Sequence, residues 1–285
     1  MKSIKNALFL MAQFVLPHHA ISRLAGALAN CSWKPVRLGL IRLFSKRFKV
    51  SLAEAEISNL EQFANFNDFF TRALKPEARP IDARANQWVS PADGVISQLG
   101  EIDDGKILQA KQHNYSLLTL LGNDSEMAKR YHNGQFMTVY LSPKDYHRIH
   151  IPADATLVKT IHVPGKLYSV NQLTSETVNG LFAKNERLVC EFESAEGRFV
   201  MVLVGAMIVA SIETRWAGVI TPIKKQLSYA DFSNAQPISF SKGDEIGRFR
   251  LGSTVIVAFE PNAINFAASL CAGSEIHMGQ AIGEK

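Results

Sequence analysis

The sequence predicts an α+β protein, with a mostly β body folded as a compact sandwich or barrel and a helical appendage at its N-terminus. Two observations carry this. From about Trp88 onward, short runs of β-branched and aromatic residues alternate with Gly, Pro, Asn and Asp, the pattern of strands and turns. Residues 1–50 instead hold apolar stretches of helical length and nine Lys or Arg, with no Asp or Glu. At 285 residues and 47% hydrophobic, the chain can bury a sizeable core.

The appendage comes first. Ala7 to Leu16 is apolar apart from Gln13, and the uncharged run from Asn6 to Ser22 is broken by Pro17, His18 and His19. That falls short of the ~20 apolar residues that span a bilayer, and no small-residue cleavage site favours a signal peptide. Ile21 to Asn30 predicts a second helix. Val36 to Phe48 predicts a third, with Val36, Leu40, Leu43, Phe44 and Phe48 on one face and Arg37 and Arg47 snorkelling from within it. Of the 31 basic residues, 22 lie beyond residue 50 against all 26 acids, so a cationic end joins a mildly anionic body. Short apolar helices flanked by Lys and Arg suit an anionic membrane surface, lying in the interface without crossing it. An ordinary helical subdomain packed on the core is the alternative.

Ser51-Leu52-Ala53-Glu54 spells a capping box and predicts a helix with Ala53, Ile57, Leu60 and Ala64 on one stripe. Asn67 to Arg72 predicts a further helical turn, ended by Pro76 and Pro80. The expected division is a membrane-associating segment over 1–75 and a β-rich domain over 76–285. In the body, strands are expected at Gly94–Ile96, Phe136–Leu141, Phe199–Val204 and Val255–Phe259, with short helices at Leu117–Leu121 and Ser125–Tyr131. Lys242 to Gly247 reads as a tight hairpin turn. Together with Pro91-Ala92-Asp93-Gly94 it resembles the turns of barrel-sandwich domains such as lipoyl domains. Cys31, Cys190 and Cys271 lie far apart without metal-ligand spacing, which reads as reduced thiols in a cytoplasmic protein.

Chemistry concentrates in four places. Leu251-Gly252-Ser253-Thr254 is a turn running into a buried strand. Gly252 lets a group approach its carbonyl closely, and Ser253 sets a hydroxyl beside that carbonyl. With a base nearby, the electrophile within reach is the protein's own Gly252–Ser253 peptide bond. Asp93 is a carboxylate on a turn. His147 and His150 lie three apart in a segment bracketed by Pro143 and Pro152. They lack an obvious third metal ligand, whereas acid–base work needs none. Val204 to Ile212 carries small residues in an apolar run and reads as tight packing or a pocket wall. Taken singly, each has a plain structural reading: a Gly-Ser turn, a turn-forming Asp, histidines fastening a loop.

In order and spacing, these motifs resemble the bacterial phosphatidylserine decarboxylases, which are pyruvoyl-dependent enzymes. The resemblance runs from Phe66-Asn67-Asp68-Phe69-Phe70-Thr71-Arg72 through Ser90-Pro91-Ala92-Asp93-Gly94 and Tyr146-His147-Arg148-Ile149-His150 to Leu251-Gly252-Ser253-Thr254, and it includes the basic, apolar N-terminus. It implies that Asp93, His150 and Ser253 act as a triad turned on the chain itself. Self-cleavage between Gly252 and Ser253 would give a long chain, 1–252, and a short chain, 253–285. Ser253 would become a pyruvoyl group, the site of a Schiff base with phosphatidylserine and the electron sink for its decarboxylation. His147 would donate the proton that completes phosphatidylethanolamine. No metal is implied. The expected partners are phosphatidylserine, an anionic membrane surface at the cytoplasmic face and the chain's own two products. A homodimer is allowed for, and no nucleic acid is expected.

Two readings compete. A membrane-associated serine hydrolase would use Asp93, His150 and Ser253 on an outside substrate and keep its chain whole. A non-catalytic lipid-binding module would need neither histidine. A nucleic-acid binder is disfavoured by the apolar content of the basic segment and by the anionic body.

Overall fold

The computed structural model describes residues 2–110, 113–206, 211–220, 226–233, 236–250 and 253–285. Three helices open the chain: α1 (Lys2–Val15), α2 (His18–Ala29) and α3 (Lys34–Phe48). Pro17 separates the first two, and Pro35 is accommodated in the first turn of the third, where its missing N–H costs nothing. Lys49 closes α3 in a left-handed conformation, φ 55°. The buried side of α3 centres on Leu38 and Ile41, with Phe44 packed behind. Leu43, on the same expected apolar face as Val36, Leu40, Phe44 and Phe48, is exposed where those four are half-buried. Further along, α4 (Phe66–Phe70) is capped by the Asn65 side chain, which accepts from the Asp68 N–H. Ala29, Ile41, Phe63, Phe66, Phe69 and Phe70 form one apolar cluster that ties the appendage together.

The helix expected from Ser51 does not form. Among residues 51–65 there is one 3₁₀ turn, Leu60–Gln62. The Ser51 hydroxyl accepts from the Ala53 N–H, two residues on rather than three. The Glu54 carboxylate, which a capping box would return to Ser51, pairs with Arg79 at 3.0 Å. A long-range ion pair and a bridge between Ala55 and Leu74 win over local helix signals.

The body is β, and its sheets are open. The key strands are β1 (Gly94–Glu101), β2 (Gln135–Leu141), β3 (Arg148–His150), β4 (Ala155–Val163), β5 (Arg187–Ser194), β6 (Gly197–Val204), β7 (Ile212–Thr214), β8 (Glu245–Phe249) and β9 (Ser253–Phe259). A nine-stranded antiparallel sheet runs through β4-β5-β6-β9-β2-β1, with short strands at both edges. A four-stranded sheet carries β7-β8-β3. Short helices Leu117–Leu120 and Ser125–Arg130 lie where the sequence placed them.

Central strand β9 is apolar on both faces because both are covered. Val255, Val257 and Phe259 enter one core with Ile149, Ile246 and Phe249 of the smaller sheet and with Ile151 just beyond it. Ile256 and Ala258 enter a second core with Leu117, Leu120 and Phe182. The layers are therefore sandwich-like. The turn at 241–244 does not make a hairpin: Ser239–Phe240 pairs with β4, whereas β8 pairs with β3 and β7, so the chain changes sheet there.

Candidate active site

The site lies where β8 ends and β9 begins. The chain leaves the smaller sheet at Phe249, whose N–H donates to the His147 carbonyl at 3.0 Å. Arg250 is held by the Ser211 carbonyl and by Glu213. The backbone re-enters at Ser253, whose cross-strand partner is Leu141, while Thr254 pairs with Val204. Leu251 and Gly252 lie outside the described residues, as does the Ser253 side chain. So do Met207 to Ala210, the middle of the expected pocket wall. Three segments thus converge at one end of the central strand: the stretch beyond Leu141, the stretch beyond Val204 and the crossover that holds the Gly-Ser pair.

His147 sits in the first of these. It is fully buried, and its ring stacks on Phe70 with centroids 4.0 Å apart. A carbonyl only accepts, so Nε2 carries the proton and donates to Ser142 O at 3.1 Å. Nδ1 is left as a bare acceptor, buried and without a partner among the described residues. Burial, reinforced by the nearby Arg72 charge, pushes the imidazole down to about 3, so it is neutral at pH 7. Ser142 is tied to Asp145, whose carboxylate accepts from the Ser142 N–H at 2.7 Å.

His150, at the end of β3, is held differently. Its Nδ1–H donates to Gly243 O at 2.7 Å, which fixes the tautomer, and Nε2 accepts from the Tyr146 hydroxyl at 3.0 Å. Gly243 is at φ +88°, and a side chain there would collide with Ile81, so only glycine presents this carbonyl. Burial lowers the His150 pKa. The Gly243 hydrogen bond, Glu245 and, more weakly, Asp93 push it back up.

Asp93 belongs to the turn entering β1. Gly94 packs its backbone against the Tyr140 carbonyl, leaving no room for a Cβ. The His150 N–H donates to Pro91 O at 2.9 Å, so the turn and β3 are joined through backbone. The Asp93 carboxylate, however, is taken by Arg79: Nε donates to both oxygens at 2.9 and 3.0 Å, and Nη2 joins it. The Met278 N–H donates to Oδ1 at 2.9 Å. Asp93 therefore reaches His150 by its field rather than by a hydrogen bond. Arg79 also grips Glu54, which links this carboxylate to the segment just after α3.

Asp93 and Tyr146 border a cleft of about 340 Å³ whose lining also includes Arg79, Ser142, Lys49 and His277, with both histidines of the motif, His147 and His150, buried behind it. It extends from the Asp93 turn to Ser142, one residue past the partner of Ser253. Sequence reasoning missed Arg79, Tyr146 and Gly243 as members of the site. Tyr146 stood inside a motif already singled out, but its contact with His150 is visible only in three dimensions.

Comparison with known proteins agrees with this architecture. The family model described as phosphatidylserine decarboxylase matches residues 66–284, and a second model, described as PSD, matches residues 8–49. The chain is 49% identical to the phosphatidylserine decarboxylase proenzyme of Pseudomonas fluorescens, over 98% of each chain. It is 50% identical to that of Pseudomonas putida GB-1 and 51% identical to that of Azotobacter vinelandii, each over 99% of both chains. The chain belongs to the phosphatidylserine decarboxylase family.

Proposed function

We infer that this chain decarboxylates phosphatidylserine to phosphatidylethanolamine after cutting itself between Gly252 and Ser253. The observation that carries the inference is the likeness to proenzymes of that activity along nearly the whole chain. Neither a hydrolase that keeps its chain whole nor a lipid-binding module is favoured, because the relatives are decarboxylases that carry the proenzyme name.

In self-cleavage, Ser253 Oγ attacks the Gly252 carbonyl carbon. His150 removes the hydroxyl proton and returns it to the departing amide nitrogen, so a C–O bond replaces the C–N bond. Asp93 favours the transient imidazolium through its charge, the contribution an acid makes to such a triad. Elimination across Cα–Cβ of residue 253 then releases the Gly252 carboxylate, and hydrolysis with loss of ammonia leaves a pyruvoyl group heading the 253–285 chain. The surroundings fit such a group. A buried ring nitrogen without a partner among the described residues, His147 Nδ1, belongs to the segment that follows its cross-strand neighbour Leu141.

The pyruvoyl carbonyl supplies the electron sink that decarboxylation of an amino acid requires. The chain's own residues manage protons. His147 Nδ1 is the open position: it takes a proton from the substrate ammonium and delivers it to the substrate Cα after carbon dioxide has gone. Burial and the Arg72 charge keep the imidazole from holding that proton for long.

The test is intact mass. A 33-residue fragment, 253–285, with a blocked, carbonyl-bearing N-terminus is expected. Ser253→Ala should remain one inactive chain. A single unprocessed chain with full activity refutes the scheme.

We also assign residues 1–75 to peripheral membrane binding at the cytoplasmic face. Among the described residues no helix is long and apolar enough to cross a bilayer. Yet Met11, Phe14, Val15, Leu24, Trp33 and Leu43 stand more than 60% exposed on α1–α3 and their connections, interspersed with Arg23, Lys34, Arg42 and Lys46. Exposed apolar side chains beside exposed cations, of which Lys34 pairs with Glu61, match an anionic interface. Sedimentation with anionic vesicles should weaken with salt and fall on deletion of residues 1–50. Equal binding with and without the segment would sink the assignment.

A further inference from the structure

We propose that the Tyr146 hydroxyl is a catalytic proton carrier in self-cleavage, standing between His150 Nε2 and the hydroxyl that His150 deprotonates. The proposal rests on the assignment of His150 as the base and adds a residue to it.

The geometry leaves His150 one usable atom. Its Nδ1–H is spent on Gly243 O at 2.7 Å, and that carbonyl is itself fixed by a left-handed glycine with Ile81 seated against it. The ring therefore cannot trade tautomers without losing a short, partly buried hydrogen bond. The remaining lone pair, on Nε2, is the one a general base needs. It is covered by the Tyr146 hydroxyl at 3.0 Å, with the two rings 5.6 Å apart and tilted by 33°.

A base covered in this way either has its cover removed or works through it. Removal is costly here. Tyr146 is only 6% exposed, so swinging it away empties a packed position and takes a hydrogen bond from a buried nitrogen. Working through it costs no rearrangement. Tyr146 lines the same cleft as Asp93 and Ser142, and Ser142 directly follows the cross-strand partner of Ser253. The phenol thus meets His150, and its residue borders the cleft that Ser142 also lines.

The transfer balances. As Ser253 Oγ bonds to the Gly252 carbonyl carbon, its proton passes to the Tyr146 oxygen and the phenolic proton passes to His150 Nε2. Tyr146 ends neutral, Ser253 has lost one proton, and His150 has gained one. The same path in reverse delivers a proton to the amide nitrogen as the C–N bond breaks. Burial holds the phenol well above its ordinary pKa, so the two transfers occur together without a free phenolate.

The alternative is that the hydroxyl merely fastens the 142–150 segment. Tyr146→Phe separates the two, because it deletes one oxygen and keeps the ring. Freshly translated Tyr146→Phe precursor should cleave ~10²–10⁴-fold more slowly than wild type, the usual contribution of a placed proton-transfer group, with a near-native melting curve. In mixed H₂O/D₂O, wild-type cleavage should show the curved rate dependence of two protons in flight, and residual Phe-variant cleavage a linear one. Cleavage of the Phe variant at or above the wild-type rate overturns the proposal. Should that variant misfold, 3-fluorotyrosine at position 146 keeps shape and hydrogen bond but acidifies the phenol. A changed cleavage rate and pH profile then support the carrier, and unchanged ones overturn it. His150→Ala is run alongside. If it cleaves normally, the assignment of His150 as base has failed; if it stays whole while the Phe variant cleaves normally, only the carrier has failed.

Discussion

Two pockets three residues apart treat the same side chain in opposite ways. The floor of the site surrounds His147 with Phe70, Arg72 and Ser142; the rim surrounds His150 with Tyr146, Gly243 and, farther off, Glu245 and Asp93. On the floor, an arginine and complete burial oppose a charged imidazole, yet one ring nitrogen is left open. On the rim, both ring nitrogens are satisfied, and although burial and Arg148 still lower the imidazole, the Gly243 hydrogen bond, Glu245 and Asp93 lean toward the charged form. A group that must pass a proton on without keeping it suits the floor. A base that must become an imidazolium while a serine attacks suits the rim. The difference comes from neighbours, not from the histidines.

The largest effect that could break this comparison is at the rim. His150→Ala should leave the precursor whole, and decarboxylation should be lost as a consequence. Asp93→Asn should slow cleavage without abolishing it, because Asp93 acts across a gap while its oxygens are held by Arg79 and the Met278 N–H. Time courses on denaturing gels read both. If the Asn variant is as inert as His150→Ala, Asp93 must touch His150 directly in the reacting state. If His150→Ala cleaves normally, the rim does not hold the base.

At the floor the expected loss is narrower. His147→Ala should still cleave, at least in part, and so still present its carbonyl-headed short chain to mass spectrometry. Its release of carbon dioxide should fall by ~10²–10⁴-fold, the range for a placed acid–base group. Normal decarboxylation by this variant would remove His147 from the chemistry and leave the floor as packing only.

Much of this arrangement is legible in the amino-acid sequence. The strands Phe136–Leu141, Phe199–Val204 and Val255–Phe259 announce themselves because burial on both faces selects unbroken β-branched and apolar runs. The Gly-Ser pair at the head of the last of these, and the two histidines between prolines, were equally visible. What was illegible depends on contacts distant in sequence. Ser51 to Glu54 spells a helix start, but Arg79, 25 residues beyond Glu54, claims its carboxylate. The same Arg79 claims Asp93, which a triad reading gives to His150. Gly243 lies 93 residues from the imidazole it orients. Turn chemistry shows that a glycine is wanted there, not which donor its carbonyl will meet.

The smallest effect sharpens the comparison through stability alone. His147 falls from its ordinary 6.5 to about 3 in the folded chain. Between those values the unfolded chain binds a proton that the folded chain refuses, so folding weakens as pH drops. One such group costs up to ~1.4 kcal/mol per pH unit below 6.5, or about 2 kcal/mol between pH 7 and pH 5. His150 shifts in the same direction, but the carboxylates on the rim resist its shift, so His147 should dominate. The measurement is urea unfolding of the Ser253→Ala precursor, kept in one piece, at both pH values. In that background His147→Phe keeps a ring against Phe70 and removes the titration. Its absolute stability will change with the lost Ser142 hydrogen bond, but its loss between pH 7 and pH 5 should shrink by about the 2 kcal/mol assigned to the imidazole. An identical loss in both proteins would mean that the folded chain protonates His147 as readily as the unfolded one, and the contrast between floor and rim would collapse.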